Sequence, residues 1–362
     1  MISQAQDNTD PLFRPSAQDL DRIDHDVGTI PDIQGQLVAN DPDLAVRDRV
    51  AHQYQIAGGK VTLKIALQIP PNLVGVGLFE PGSEYIGLGR ISTGKGCPHR
   101  ETDPDFLGLR LAFQTGSGVR VDFLGINDPT SPTDTHVQFM KLLKATAAGA
   151  GVGVLASSGR LLGGLVADLG LMKGLRMVMH VLRQTLRTTL STTAYQTFWT
   201  GIVETGGVLG KFMLLPPAGQ AQSGPLSVGK SHLTDEWRIR QSRGPVAFDL
   251  FWLPYINERA TSLVTLTRAW QEQRHLVGRV TFPQYDQSSD ETRLWAMLAA
   301  EMGANPGNWV GDRDNTIGDP TTEFGIARKL AYQKSQAGRG AFADAEYAMV
   351  FQKGIKIGRA HV

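Results

Sequence analysis

The chain has 362 residues, 41% of them hydrophobic and 20% charged, which is enough apolar side chain to bury a substantial core as one large domain or two ordinary ones. Its 36 basic and 35 acidic side chains leave a formal net charge of +1, so there is no general case for nucleic acid or an acidic partner. One cysteine, Cys97, excludes an internal disulfide framework and a cysteine-built zinc site, and fits a reducing compartment.

The chain opens on MISQAQDNTDPLFRPSAQDLDRIDHD, which is polar and acidic and lacks the basic-then-apolar order of a secretory signal, so a cytoplasmic protein is expected. Prolines at 11, 15, 31 and 42 among scattered aspartates predict an arm with short helical pieces over residues 1–45. From His52 to Asn127 the pattern turns to strands. KVTLKIALQI alternates, YIGLGRIS and LGLRLAFQT follow, and GVRVDFLGIN closes the run, with Gly, Pro and Asp between them. Residues 133–200 read as helix, beginning DTHVQFMKLLKATAAGAG and continuing through GLVADLGLMKGLRMVMHVLRQTL. VLGKFMLLPP and PVAFDLFWLPYI return to strand, LVTLTRAWQEQRHL leads into a further strand GRVTFPQ, and the end is helical. Strands, helices, strands, helices is an α+β order without βαβ rhythm, which predicts an antiparallel sheet or barrel with helices around it.

Several local patterns carry little. GAGVGVLASSG follows no strand and lacks the dinucleotide spacing, and SVGKS lacks the full phosphate-loop spacing. The longest uncharged apolar stretch, Ala145 to Gly159, lies between Lys144 and Arg160 and is rich in glycine and serine, so no transmembrane helix is expected. KIGRAHV, residues 356–362, reads as a non-native tail, which leaves 46–355 as the principal domain. Between Asp168 and Arg187, Lys173, Arg176, His180, Arg183, Gln184 and Arg187 share one helical face, with Leu171, Leu175, Val178, Met179, Leu182 and Leu186 on the other. That pattern suits a helix packed on the core, or a peripheral membrane contact through 168–187.

Four short stretches stand out when taken together. Arg49 precedes His52 by three residues, Arg90 precedes Ser92 by two, Gly125 and Asn127 end a strand, and Tyr332 follows Arg328 by four with Arg339 seven further on. In this order they resemble the haem catalases, whose distal side uses R-x-x-H, R-x-S and G-x-N and whose proximal side uses R-x-x-x-Y with a later arginine. LFEPGSEYIGLGRIS, GVLGKFMLLPP and TRAWQEQRHLVGRVTFPQ resemble that family's strand into R-F-S, its lysine-bearing strand, and its helix and strand with W-x-E. The likeness runs thinly over residues 47–340. It is nearest the short catalase-like proteins, the catalase-related peroxidases and the allene oxide synthase-like group, which keep the barrel and drop the C-terminal domains.

The resemblance implies a catalase-like antiparallel β-barrel holding haem b (iron protoporphyrin). Tyr332 would be the iron ligand, a role for which tyrosine is known. A permanently charged guanidinium beside a phenol favours the anionic oxygen, which suits Arg328. Arg49, Arg90 and Arg339 would reach propionates, and Phe139 would either stack on the haem or sit in the core. His52 would carry a proton between the two oxygens of a peroxide, with Ser92 orienting its ring and Asn127 donating a hydrogen bond to the substrate. The chain departs from the family at Gln53-Tyr54-Gln55, where catalases have A-K-G, and at DPTSPTDTHVQF, which lacks their paired phenylalanines. Small polar residues from Thr130 to Thr133 predict a wider or more polar approach. The expected function is therefore a haem-dependent oxidoreductase acting on organic or fatty-acid hydroperoxides, as peroxidase or rearranging enzyme. Catalase activity on hydrogen peroxide and non-catalytic haem or lipid binding are the alternatives. The resemblance also implies a homo-oligomer.

Overall fold

The computed structural model describes residues 15–40, 49–96, 100–103, 105–115, 120–148, 163, 171–186, 192–220, 232–271, 273–285, 288–306, 317–319 and 322–338. Arg339, the GAGVGVLASSG and SVGKS stretches and residues 356–362 lie outside them.

Ten strands form one antiparallel sheet: β1 (Gln55–Ile65), β2 (Glu84–Thr93), β3 (Leu107–Gln114), β4 (Arg120–Ile126), β5 (Phe198–Thr200), β6 (Val203–Thr205), β7 (Val208–Leu215), β8 (Val246–Pro254), β9 (His275–Phe282) and β10 (Ile317–Asp319). Pairing runs β1-β2-β3-β4-β5-β7-β8-β9 and returns to β1, so eight strands close into a barrel, while β6 and β10 extend from β7. Closure removes the exposed edges that an open sheet of this size would leave.

Side chains alternate across a strand, so each strand supplies one row to the interior and one to the outside. Val61, Leu63, Ile91, Leu109, Leu111, Phe113, Phe123, Phe212 and Phe248 fill the interior. Phe79 stacks on Phe212 at 5.5 Å, and Phe212 also meets Phe123 edge-on at 5.1 Å and Trp252 at 4.9 Å. The barrel is thus packed through rather than hollow. The outward rows, Leu88-Arg90-Ser92 on β2 and Gly108-Arg110-Ala112 on β3, are covered by helices instead.

The helices are α1 (Ala17–Val27), α2 (Ile30–Asn40), α3 (His136–Ala148), α4 (Leu171–Leu186), α5 (His232–Arg243), α6 (Asp290–Glu301) and α7 (Glu323–Gly338). Ser16 and Asp19 cap α1 reciprocally, each side chain bonding the other's backbone N–H. Of the expected arm, the described residues 15–40 are docked. Ile23, Val27, Ile30, Ile33 and Leu37 of α1 and α2 bury against Met140 and Ala147 of α3 and Ala327 of α7. Arg22 and Asp24 reinforce this through Glu323 at 3.1 Å and Lys334 at 2.9 Å. Trp295, Ala299 and Met302, on and just past α6, cover Leu88 and Ala112 on the outside of the barrel.

Two local expectations differ. The helical reading of 133–200 stops short, because Phe198 drops into the barrel interior and Phe198–Thr200 pairs with β4 and β7 as β5. The stretch from Thr267 likened to a helix is not helical over 267–271, and the residues leading into it turn: Glu258 accepts from Leu263 N at 3.0 Å, Ser262 from Thr265 N at 2.8 Å, and Trp270 Nε1 donates back to Ser262 O at 3.0 Å. Side-chain acceptors here offer the backbone an alternative to helical bonds.

Gly89 points into the barrel, where an added Cβ would lie 2.6 Å from Val61 Cγ1 and 2.7 Å from Phe282 Cζ. Gly89→Ala is expected to lower unfolding free energy by roughly 1–3 kcal/mol through overpacking, read as a lower denaturant midpoint. An unchanged midpoint would show that this corner of the barrel yields.

Candidate functional site

His52 stands in the link entering β1, with φ of 61°. Residues with a Cβ rarely adopt that left-handed conformation, and it persists only where neighbours over-determine it. Here they do. His52 N donates to Gly94 O at 2.9 Å, and Arg90 Nη2 donates to His52 O at 2.8 Å and Gln53 O at 3.0 Å. The ring rests on Gly108, where any Cβ would collide with the imidazole.

Nδ1 of His52 lies 3.1 Å from Thr93 O. A carbonyl only accepts, so Nδ1 holds the proton and Nε2 is left as the acceptor. Burial pushes the imidazole down to about 4, against the opposing charge of Asp105 and with help from Arg90. The ring is therefore a neutral base at neutral pH. Asp105 is itself fixed by Gly94 N at 2.8 Å and Lys95 N at 3.1 Å.

Arg90 and Arg110 are direct cross-strand partners on the outer face, 3% and 6% exposed, a like-charge pairing that would be unfavourable without acceptors around it. Arg90 uses the carbonyls just named, Arg110 Nη2 donates to Gly303 O, and Arg49 Nη2 donates to Ala300 O.

Across from this wall, α7 carries Arg328 and Tyr332 one helical turn apart. Phe324, a turn earlier, meets Phe139 of α3 edge-on at 5.7 Å. Arg328 crosses to the link just after β5, where its Nη1 occupies the space a side chain at Gly201 would need.

Between the two walls lies a cavity of about 530 Å³, within the range of small-molecule and cofactor sites. His52, Ser92, Arg49, Arg90, Phe139, Arg328 and Tyr332 all line it. Seven of the nine residues singled out from sequence are thus brought to one space. Asn127 is not in its wall: its Oδ1 accepts from Leu107 N at 2.7 Å and its Nδ2 donates to Gln196 Oε1 at 3.1 Å, locking the ends of β3 and β4. Ser92 is present, but the contact that orients the imidazole comes from its neighbour Thr93. Arg339 lies outside the described residues.

Other groups at the site were given no site role from sequence: Arg110, Asp105, Thr93 and Lys211, the last noted only as the lysine of the strand GVLGKFMLLPP. Arg110 in LGLRLAF and Lys211 in VLGKFMLL are lone cations inside apolar strands, and that pattern is the signal that marks them.

The loop after Asn127 forms part of the wall with Thr130, Ser131 and Pro132. Thr130 Oγ1 donates to Asp128 Oδ1 at 2.6 Å, and His180 Nε2 of α4 lies 3.1 Å from Ser131 O. The faces of α4 differ from the expected division. Met177 and Val178 pack on Leu142 and Ala145 of α3, and His180 turns inward, whereas Leu171, Leu175 and Met179 are exposed beside Arg176 and Arg183. The side chains of Lys173 and Gln184, and all of Arg187, lie outside the described residues. Among the described residues no helix is long and apolar enough to cross a membrane.

No family model and no curated protein sequence matches the chain. Solved structures do. A bacterial catalase superposes with a TM-score of 0.64 at 17% identity, covering 86% of this chain and 61% of that one. A fungal catalase gives 0.65 at 14% identity over 86% and 63%, and catalase A from Saccharomyces cerevisiae 0.59 at 13% over 84% and 63%. The fold is that of the catalases, and the chain spans less than two thirds of their length.

Gly108→Ala is expected to drive the imidazole off β3 and toward the cavity. A proton NMR titration of His52 should then move from a midpoint of about 4 toward the ordinary histidine value of about 6.5. A midpoint that stays put would mean that Gly108 does not hold the ring.

Proposed function

We propose that the protein is a haem-dependent enzyme acting on hydroperoxides, with Tyr332 as the iron ligand and His52 as the group that moves the proton. The observation that carries this reading is that one cavity has a phenol on one wall and a half-buried, neutral imidazole on the other, with guanidinium groups around it. That donor set fits iron porphyrin: an oxygen for the metal, positive charge for two propionates, and apolar side chains such as Phe139, Phe324 and Ala331 for the ring. Tyr332 would hold the iron, Arg328 one turn before it would favour the anionic oxygen, and Arg49, Arg90 and Arg339 would supply charge for the propionates. When bound, the haem supplies the redox centre at which the O–O bond is cleaved.

The chain's own part is proton management. His52 Nε2 accepts a proton from one peroxide oxygen and returns it to the other, which requires an imidazole that is neutral before substrate arrives. Burial provides that state. The Thr93 carbonyl fixes the tautomer, and Arg90 clamps the backbone so that Nε2 keeps its aim. The Asn127 amide, tied to Leu107 and Gln196, supports the strand ends beneath this wall in the described geometry.

The wall favours organic hydroperoxides. Thr130, Ser131 and Pro132 border the cavity, which continues along Leu142, Leu143, Val181 and Leu182, an apolar lining that suits an alkyl chain and that hydrogen peroxide does not need. Disproportionation of hydrogen peroxide is the second reading, favoured by the match to catalases.

The purified protein is expected to show a haem absorption spectrum, and Tyr332→Phe to lose its phenolate-type features. His52→Ala should keep the haem and lose the peroxide-driven spectral change. A preparation that stays colourless when hemin is added would remove the proposal, and normal peroxide response in His52→Ala would remove the histidine. Side-by-side assays should give faster turnover with a fatty-acid hydroperoxide than with hydrogen peroxide; rapid oxygen release from hydrogen peroxide alone favours the second reading.

A further inference from the structure

Lys211 is the lone charged side chain of β7, in VLGKFMLL, and it points outward from the barrel between neighbours that face inward, Gly210 and Phe212. It is 5% exposed, yet it lines the same cavity as His52 and Tyr332. Its Nζ makes no hydrogen bond and no ion pair among the described residues. It sits instead 4.6 Å over the Trp270 ring, whose Nε1 is committed to Ser262 O. The carboxylate nearest in effect, Asp128, accepts from Thr130 N at 2.9 Å and Thr130 Oγ1 at 2.6 Å.

A buried ammonium in contact with a ring face and with no oxygen is costly, and that cost is offset when an anion reaches it. Burial already pushes this amine down to about 8, with the charge of Asp128 opposing the shift. Thr130 and Ser131 stand on the cavity wall with it, and the apolar run of Leu142, Leu143, Val181 and Leu182 lines the same space. The cavity thus has one buried cation lacking an oxygen partner and a greasy lining beyond it. Those are complementary to the two parts of a long-chain acid.

We propose that Lys211 binds the carboxylate of an acyl substrate, so that the hydroperoxides handled by this protein are free fatty acids rather than esters or alkanes. This rests on the functional reading above for the hydroperoxide group, but the anchoring itself needs no turnover. The same carboxylate chemistry could come from a haem propionate, so the test separates the two.

The protein as purified is titrated with linoleic acid and with methyl linoleate, following Trp fluorescence. The free acid should bind about tenfold or more tightly than the ester, as expected for a charge-assisted bond to a buried partner. Lys211→Met should weaken the acid by about that factor and leave the ester unchanged, while Lys211→Arg should retain most of the preference. Equal binding of acid and ester, no binding of either, or equal weakening of both in Lys211→Met would overturn the assignment. So would a lowered hemin affinity in Lys211→Met with the acid preference intact, which would give Lys211 to a propionate. If Lys211→Met fails to fold, the native acid-to-ester ratio and Lys211→Arg still decide. A protein that takes up no haem yet prefers the acid through Lys211 would end the functional reading and leave this one standing.

Discussion

Closing eight strands around a filled interior is the constraint from which the rest follows. Phenylalanines from six strands, with Trp252 and the aliphatic rows, occupy the space inside. Because side chains alternate, every polar group inserted into these strands at the complementary positions is delivered to the outside. Arg90, Ser92, Arg110 and Lys211 all take that route. The helices then act as a lid that makes an interior out of the barrel's exterior, and the chemistry sits in the seam.

The seam is costly to maintain, and its costs fall on identifiable residues. A histidine in left-handed backbone, two buried arginines face to face and a lysine over an indole each forfeit stability that an ordinary core would keep. What offsets them is local: carbonyls at His52, Gln53 and Gly303 accept from the arginines, and a glycine at 108 makes room for the ring. Strain and unusual charge burial concentrated in one seam are the pattern expected of a working site rather than a structural joint.

Much of this was legible in the sequence where period and spacing speak directly. Alternation in KVTLKIALQI and LGLRLAFQT gives β1 and β3, and the spacing of Arg328 to Tyr332 gives one face of α7. Side-chain direction at strand ends was not legible. Asn127 follows β4 just where the backbone leaves the sheet, and whether its amide turns to the cavity or to Leu107 depends on loop geometry that residue spacing does not encode. The same applies to residues 267–271, likened to a helix but preceded by turns in which Glu258 and Ser262 capture backbone N–H groups. Lys211 and Arg110 could have been suspected as charges stranded in apolar runs, but their neighbours come from distant segments.

The two walls of the cavity are contributed by residues near 50 and near 330, and α1 and α2 grip α7 through Ile23, Ile33 and Ala327 and the Arg22–Glu323 pair. Any molecule lodged between them fastens the beginning of the polypeptide to its last described helix. By mass action such an occupant acts as a clasp, tightening that junction in proportion to its own grip. Resistance of α7 to proteases is therefore a direct gauge of how full the protein is.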